Sequence, residues 1–106
     1  MRLPDIGEVR AWIQVPATAL PDPVLSQVLV AEADLQVHAC RVPEGDVDGP
    51  AALIQALYRR CGREVAARGV PLGMMGADSE YGPARLSRWD AEVDRLEGPY
   101  RVLVFG

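Results

Sequence analysis

The sequence has no lysine and no asparagine, and all 11 of its basic residues are arginine. Lys and Asn codons are A-rich, so the joint absence reads as codon bias in a GC-rich genome. Selection of Arg for bidentate anion pairing would leave the missing Asn unexplained. Cysteine is scarce as well. Cys40 and Cys61 fall in stretches that read as helix, without the spacing of a metal site, and are expected to be reduced core residues. A single histidine, His38, and three serines, Ser26, Ser79 and Ser87, leave few parts for nucleophilic catalysis. His38 and Cys40 are two apart on one helix and would not face each other. No uninterrupted apolar run approaches the roughly 18 residues of a membrane span, and Pro4, Asp5 and Glu8 break any charged-then-apolar leader, so export is not expected. Positive charge is also in short supply. Fifteen acidic residues against 11 basic leave a net charge of −4, a poor balance for gripping nucleic-acid phosphates.

What is present is an ordinary globular composition, 49% apolar and 25% charged, which excludes disorder. The 106 residues suit one domain, yet a chain of this size buries only about two-thirds of its unfolded surface. Little remains to wall in a substrate pocket. Proline and glycine divide the chain into four helical stretches and a tail. Asp5 with Glu8 resembles a capping box for a helix ending at Ile13, before Pro16. Asp22 followed by Pro23 marks the start of a helix of about 20 residues that Pro43 stops. Its apolar stripe reads as Val24, Val28, Leu35 and Val42, widened by Leu25 and Leu29.

The third stretch runs from about Pro50 to Arg68, with Gly69 and Pro71 as stop signals. Leu53, Ile54, Leu57, Tyr58, Cys61 and Val65 share one face, and Arg59, Arg60 and Arg63 the other. That Arg face is either a solvated back or an interface to an acidic partner. A loop from about Leu72 to Leu86 follows, long enough to be functional or disordered. Ser87 reads as the cap of a short, acidic fourth helix carrying Trp89, Val93 and Leu96. Arg101 to Gly106 is β-prone and apolar on both faces. The expected fold is therefore all-α: a small four-helix bundle over residues 1–100, with a long loop before the last helix and an extended tail over 101–106. The tail lies across its own bundle or adds to a groove on another chain.

Several motifs resemble sites and fall short. Glu44, Asp46, Asp48 and Gly49 occupy the first positions of a calcium loop, but Gln55 stands where the bidentate Glu belongs. Asp78 and Glu80 on the long loop read as solvated carboxylates. Gly73 and Gly76 resemble an RNA-clamping glycine loop without its sheet or basic flanks. The turn between the second and third helices is too long for a helix-turn-helix. No catalytic, cofactor-binding or metal residue is assigned.

The chain resembles the head-to-tail connector (head-completion adaptor) proteins of tailed bacteriophages, particularly those infecting actinobacteria. The resemblance is carried by Val9-Arg10-Ala11-Trp12-Ile13 with Val15-Pro16-Ala17, by Ala56-Leu57-Tyr58-Arg59-Arg60, and by Arg63 to Pro71. The more specific stretches are Asp78-Ser79-Glu80-Tyr81-Gly82-Pro83 and Arg95-Leu96-Glu97-Gly98-Pro99-Tyr100-Arg101. Nothing in Glu44 to Pro50 contributes. The resemblance implies a non-enzymatic virion protein of the neck, assembled in the host cytoplasm. It implies a homo-oligomeric, dodecameric ring with the portal protein and tail-side neck proteins as partners. DNA would pass through the channel without specific binding, and neither cofactor nor membrane is implied.

A ring needs two different complementary patches on each subunit. The Arg59, Arg60 and Arg63 face against Asp90, Glu92, Asp94 and Glu97 is the expected subunit contact. Arg101, Val102, Leu103, Val104 and Phe105 are the expected portal or neighbour contact, and Asp78, Glu80 and Tyr81 mark the expected functional loop. The alternative is a small helical binding or regulatory protein acting without a ring.

Overall fold

The computed structural model describes residues 2–43, 45, 49–69 and 82–102, the last stretch with side chains from Asp90 onward. Four α-helices are present among these residues: α1 (Ile6–Ile13), α2 (Asp22–Ala39), α3 (Ala51–Ala67) and α4 (Gly82–Glu97). A 3₁₀ turn, Gly98–Tyr100, follows α4 directly. The all-α four-helix expectation holds.

The helix ends are set by local chemistry. At α1, Oδ1 of Asp5 accepts the Glu8 N–H at 2.8 Å, satisfying a donor that the helix leaves open. Gln14 closes the helix in the left-handed region, φ 57°. At α2 the cap position belongs to Pro21 rather than Asp22. Asp22 instead takes Nη2 of Arg10 at 2.5 Å, while Nη1 of Arg10 donates to the Val15 carbonyl. One arginine thereby staples the end of α1 and the connecting loop to the start of α2. Helix α2 also stops earlier than the proline signal implies: Cys40 is already extended, so Val42 lies outside the helix. Helix α4 begins at Gly82, so Ser87 is interior and not a cap.

Helix α3 occupies the centre and packs against each of the other three. One side of it contributes Leu57, Cys61 and Val65 to a core shared with Val9 and Ile13 of α1 and with Leu25, Val28 and Leu29 of α2. Val15 and Leu20 in the α1–α2 loop close that core from below. Trp12 stacks on Tyr58 at 5.3 Å between ring centroids, holding α1 against α3.

The buried side of α2 is Leu25, Val28, Leu29, Glu32 and Gln36, a regular i, i+3, i+4, i+7 sequence. Leu35, assigned to the apolar stripe from sequence, is 55% exposed. Helix α2 carries apolar residues nearly all round, so apolarity alone could not select the buried side.

Leu57 is fully buried at the meeting of α1, α2 and α3. Leu57→Ala is expected to cost about 2–5 kcal/mol, read as a lower urea midpoint with an unchanged slope.

Candidate functional site

The second side of α3 meets α4 through charge. Glu97 is fully buried, Arg60 is 8% exposed, and the two form a bidentate pair: Nε to Oε2 at 2.5 Å and Nη2 to Oε1 at 2.7 Å. Gln36 of α2 joins them by donating from Nε2 to Oε2 of Glu97 (3.0 Å) and to the Leu53 carbonyl (2.8 Å). Both of those partners only accept, which fixes the amide orientation and leaves Oε1 of Gln36 without a partner among the described residues. Arg101 reaches back to Asp94 at 2.7 Å and to Glu97 at 3.4 Å. Arg63 pairs with Asp90 at 2.5 Å and approaches Glu32 at 3.7 Å.

These residues, expected to meet across a contact between subunits, have partners within one chain. The Arg60–Glu97 and Arg63–Asp90 pairs form within one chain, because α4 folds back along α3 and sets Glu97 and Asp90 against Arg60 and Arg63. Arg59 is also engaged internally, its guanidinium 5.3 Å from the centroid of Trp12. Asp94 serves Arg101, and Glu92 takes Arg95 on its own helix. The Arg face of α3 thus has partners within the chain, with Arg60 buried and Arg63 and Asp90 partly open to solvent.

The carboxyls of the network titrate in opposite directions. Burial raises the Glu97 carboxyl, but hydrogen bonds from Arg60 and Gln36 and the Arg60 charge outweigh it and bring the group below its ordinary value of 4.5. For Glu32, burial prevails over the attraction of Arg60 and Arg63, and the carboxyl is held above 4.5. Both thiols are buried. Loss of hydration pushes Cys61 up to about 12 and raises Cys40 as well, so neither is a ready nucleophile. His38 is exposed, with Nδ1 2.8 Å from the Asp34 carbonyl of its own helix.

Behind the network, the end of α2 borders a groove of about 450 Å³. It is lined by Leu3, Ala33, Gln36, Val37, Cys40, Arg41, Val42, Leu53 and Val102. The chain after the 3₁₀ turn forms its rim. Arg41 N–H donates to the Tyr100 carbonyl at 2.7 Å and Val102 N–H to the Ala39 carbonyl at 3.0 Å, an antiparallel bridge centred on Cys40 and Arg101. The start of the tail, expected to contact a portal or neighbour, is therefore fastened to its own bundle at Arg101 and Val102.

Leu103, Val104 and Phe105 lie outside the described residues, as do Asp78, Glu80 and Tyr81 of the expected functional loop, and Glu44, Asp46 and Asp48 of the calcium-like turn. Among the described residues there is no group of three or more His, Cys, Asp or Glu suited to a metal ion, and no helix is long and apolar enough to cross a membrane.

Sequence reasoning missed two features here. Glu32 and Gln36 were passed over as polar, although continuing the Leu25, Val28, Leu29 spacing places both on the buried side. The exposed apolar residues Val30, Leu35 and Val37 left a signal in the all-round apolarity of α2. No known protein family, curated protein or solved structure matches this chain.

The two carboxyls predict opposite mutational effects. A folded-state value below the unfolded one stabilises above about pH 4.5 and is lost as pH falls through the folded value; this is Glu97. A raised value stabilises only below about 4.5 and is lost as pH rises through it; this is Glu32. At pH 7, Glu97→Gln is expected to lower stability by about 3–5 kcal/mol, leaving Arg60 buried and uncompensated. Glu32→Gln is expected to leave stability unchanged or improved. Urea midpoints at pH 7 and pH 4 check both signs.

Proposed function

We propose that the chain is a non-catalytic ring subunit of a tailed-phage neck, seated between the capsid portal and the tail and extending the DNA channel. The observation that carries this reading is the pair of apolar flanks on α2. Val30 and Val37 are 56% and 62% exposed on one flank, and Leu35 is 55% exposed on the other. At 3.6 residues per turn the two flanks stand roughly 140–160° apart. Two different sticky patches on one rigid helix are what a head-to-tail, ring-closing contact requires.

The resemblance of Arg95 to Arg101 and Asp78 to Pro83, with the α1 and α3 segments beside them, to tailed-phage connector proteins supports the reading. The ring contact is apolar in this reading, because the complementary charges are used within the chain. The net charge of −4 suits a conduit, since a ring of acidic subunits repels the DNA backbone whereas a basic lining would hold it by counterion release. The partners are the portal, further copies of the chain in a dodecameric ring, and the tail-side neck proteins.

Mass measurement in solution with the portal protein present tests the reading. A multi-subunit complex is expected, and Leu35→Asp should abolish it while leaving the helical circular-dichroism signal intact. A chain that stays strictly monomeric at high concentration with portal present overturns the proposal.

A further inference from the structure

One arginine stands apart from the others. Every other arginine with a described side chain faces a carboxylate or, for Arg59, the Trp12 ring. Arg41 is exposed, and its guanidinium has no hydrogen bond, ion pair or ring contact among the described residues. It lines the groove at the end of α2. Gln36 lines the same groove, is 1% exposed, and carries the acceptor Oε1 that no described donor reaches. Nε2 of that amide is committed to Leu53 and Glu97, so Oε1 is the polar atom the side chain has left to offer. The remaining walls are aliphatic, chiefly Ala33, Val37, Val42, Leu53 and Val102. An unpaired cation, an unpaired buried acceptor and aliphatic walls together define the chemistry of an occupant.

We propose that this groove binds an extended aliphatic peptide ending in a free carboxylate, the C-terminus of another polypeptide. The carboxylate meets the Arg41 fork, whose geometry suits a bidentate pair. A backbone N–H of the peptide donates to Oε1 of Gln36. It replaces no water there, because that atom is shut off from solvent, so the new bond is not offset by a lost one. Four helical steps and one extended step separate Gln36 from Arg41, roughly 9 Å. That is the length of about three extended residues, which places the donor two or three residues before the carboxylate. A groove of about 450 Å³ falls within the range of small-ligand sites. A fatty acid would supply the charge and the apolar body but no donor along its length. The inference does not rest on the ring reading. Val30 and Leu35 take no part in the groove, and the occupant meets only the side of Val37 that faces Gln36 and Ala33.

The test follows backbone amide chemical shifts of the full chain, kept at concentrations where it is monomeric by mass, so that it stands whichever way the ring test falls. The probe is an acetylated leucine-valine-leucine peptide with a free C-terminal carboxylate. Saturable shifts centred on Gln36, Cys40, Arg41, Val42 and Val102 are expected. The same peptide with a C-terminal amide should bind about tenfold more weakly, and Arg41→Gln should erase the difference between acid and amide. Methylating the peptide nitrogens one at a time should weaken binding about tenfold at the position that faces Gln36. Octanoate, which has the charge without the donor, should bind about tenfold more weakly than the peptide. Absence of saturable binding overturns the proposal, as do shifts centred elsewhere. Equal binding of acid and amide by the unaltered chain removes the Arg41 contact and overturns it too. So does indifference to methylation at every nitrogen, or octanoate binding as tightly as the peptide.

Discussion

The fold depends on one buried ion pair. Arg60 and Glu97 meet where α3 and α4 cross, and no solvent reaches the carboxylate. Taking two charges out of water costs several kcal/mol each, and their attraction offsets that only with good geometry and further hydrogen bonds. Both conditions are met by the bidentate fork and by the amide of Gln36. The pair therefore does more to specify than to stabilise: it sets the register of α4 on α3. Everything after α4 inherits that register, because the 3₁₀ turn, the Arg101 contacts and the bridge to Cys40 follow within a few residues.

The consequence for function is a division of labour between surfaces. Charge, the obvious candidate for joining subunits, is spent inside the molecule. Apolar side chains, which a chain this small would be expected to bury, stand exposed on both flanks of α2. The two observations are linked. Helix α3 packs on α4 as well, and the polar residues of α2 turn inward, Glu32 toward Arg63 and Gln36 toward Glu97 and the Leu53 carbonyl. That orientation rotates Leu35 on one flank, and Val30 and Val37 on the other, toward solvent.

Much of the architecture could be read from local rules. Pro16, Pro43, Gly69 and Gly98 separate the elements, and the Asp5–Glu8 cap and the Leu57, Cys61, Val65 face need only sequence spacing. Three things were not legible. The spacing puts Glu32 and Gln36 on the buried side, but their partners Arg63 and Glu97, which let polar groups stay there, are tertiary and leave no local sign. The true start of α4 at Gly82 defeats a cap rule that favours Ser87. The self-pairing of the Arg face and the acidic helix requires knowing that α4 doubles back. A complementary pair of charged faces in one sequence reads equally well as two subunits or as two helices of one.

A double-mutant cycle on Arg60→Met and Glu97→Met, followed by urea unfolding at several protein concentrations, separates those two readings most directly. The account predicts a coupling of about 2–3 kcal/mol, with each single change far more damaging than the double would imply by addition. The coupling should be independent of protein concentration. A coupling near zero, or one that appears only as concentration rises, would contradict it and return the charge pair to an interface between chains.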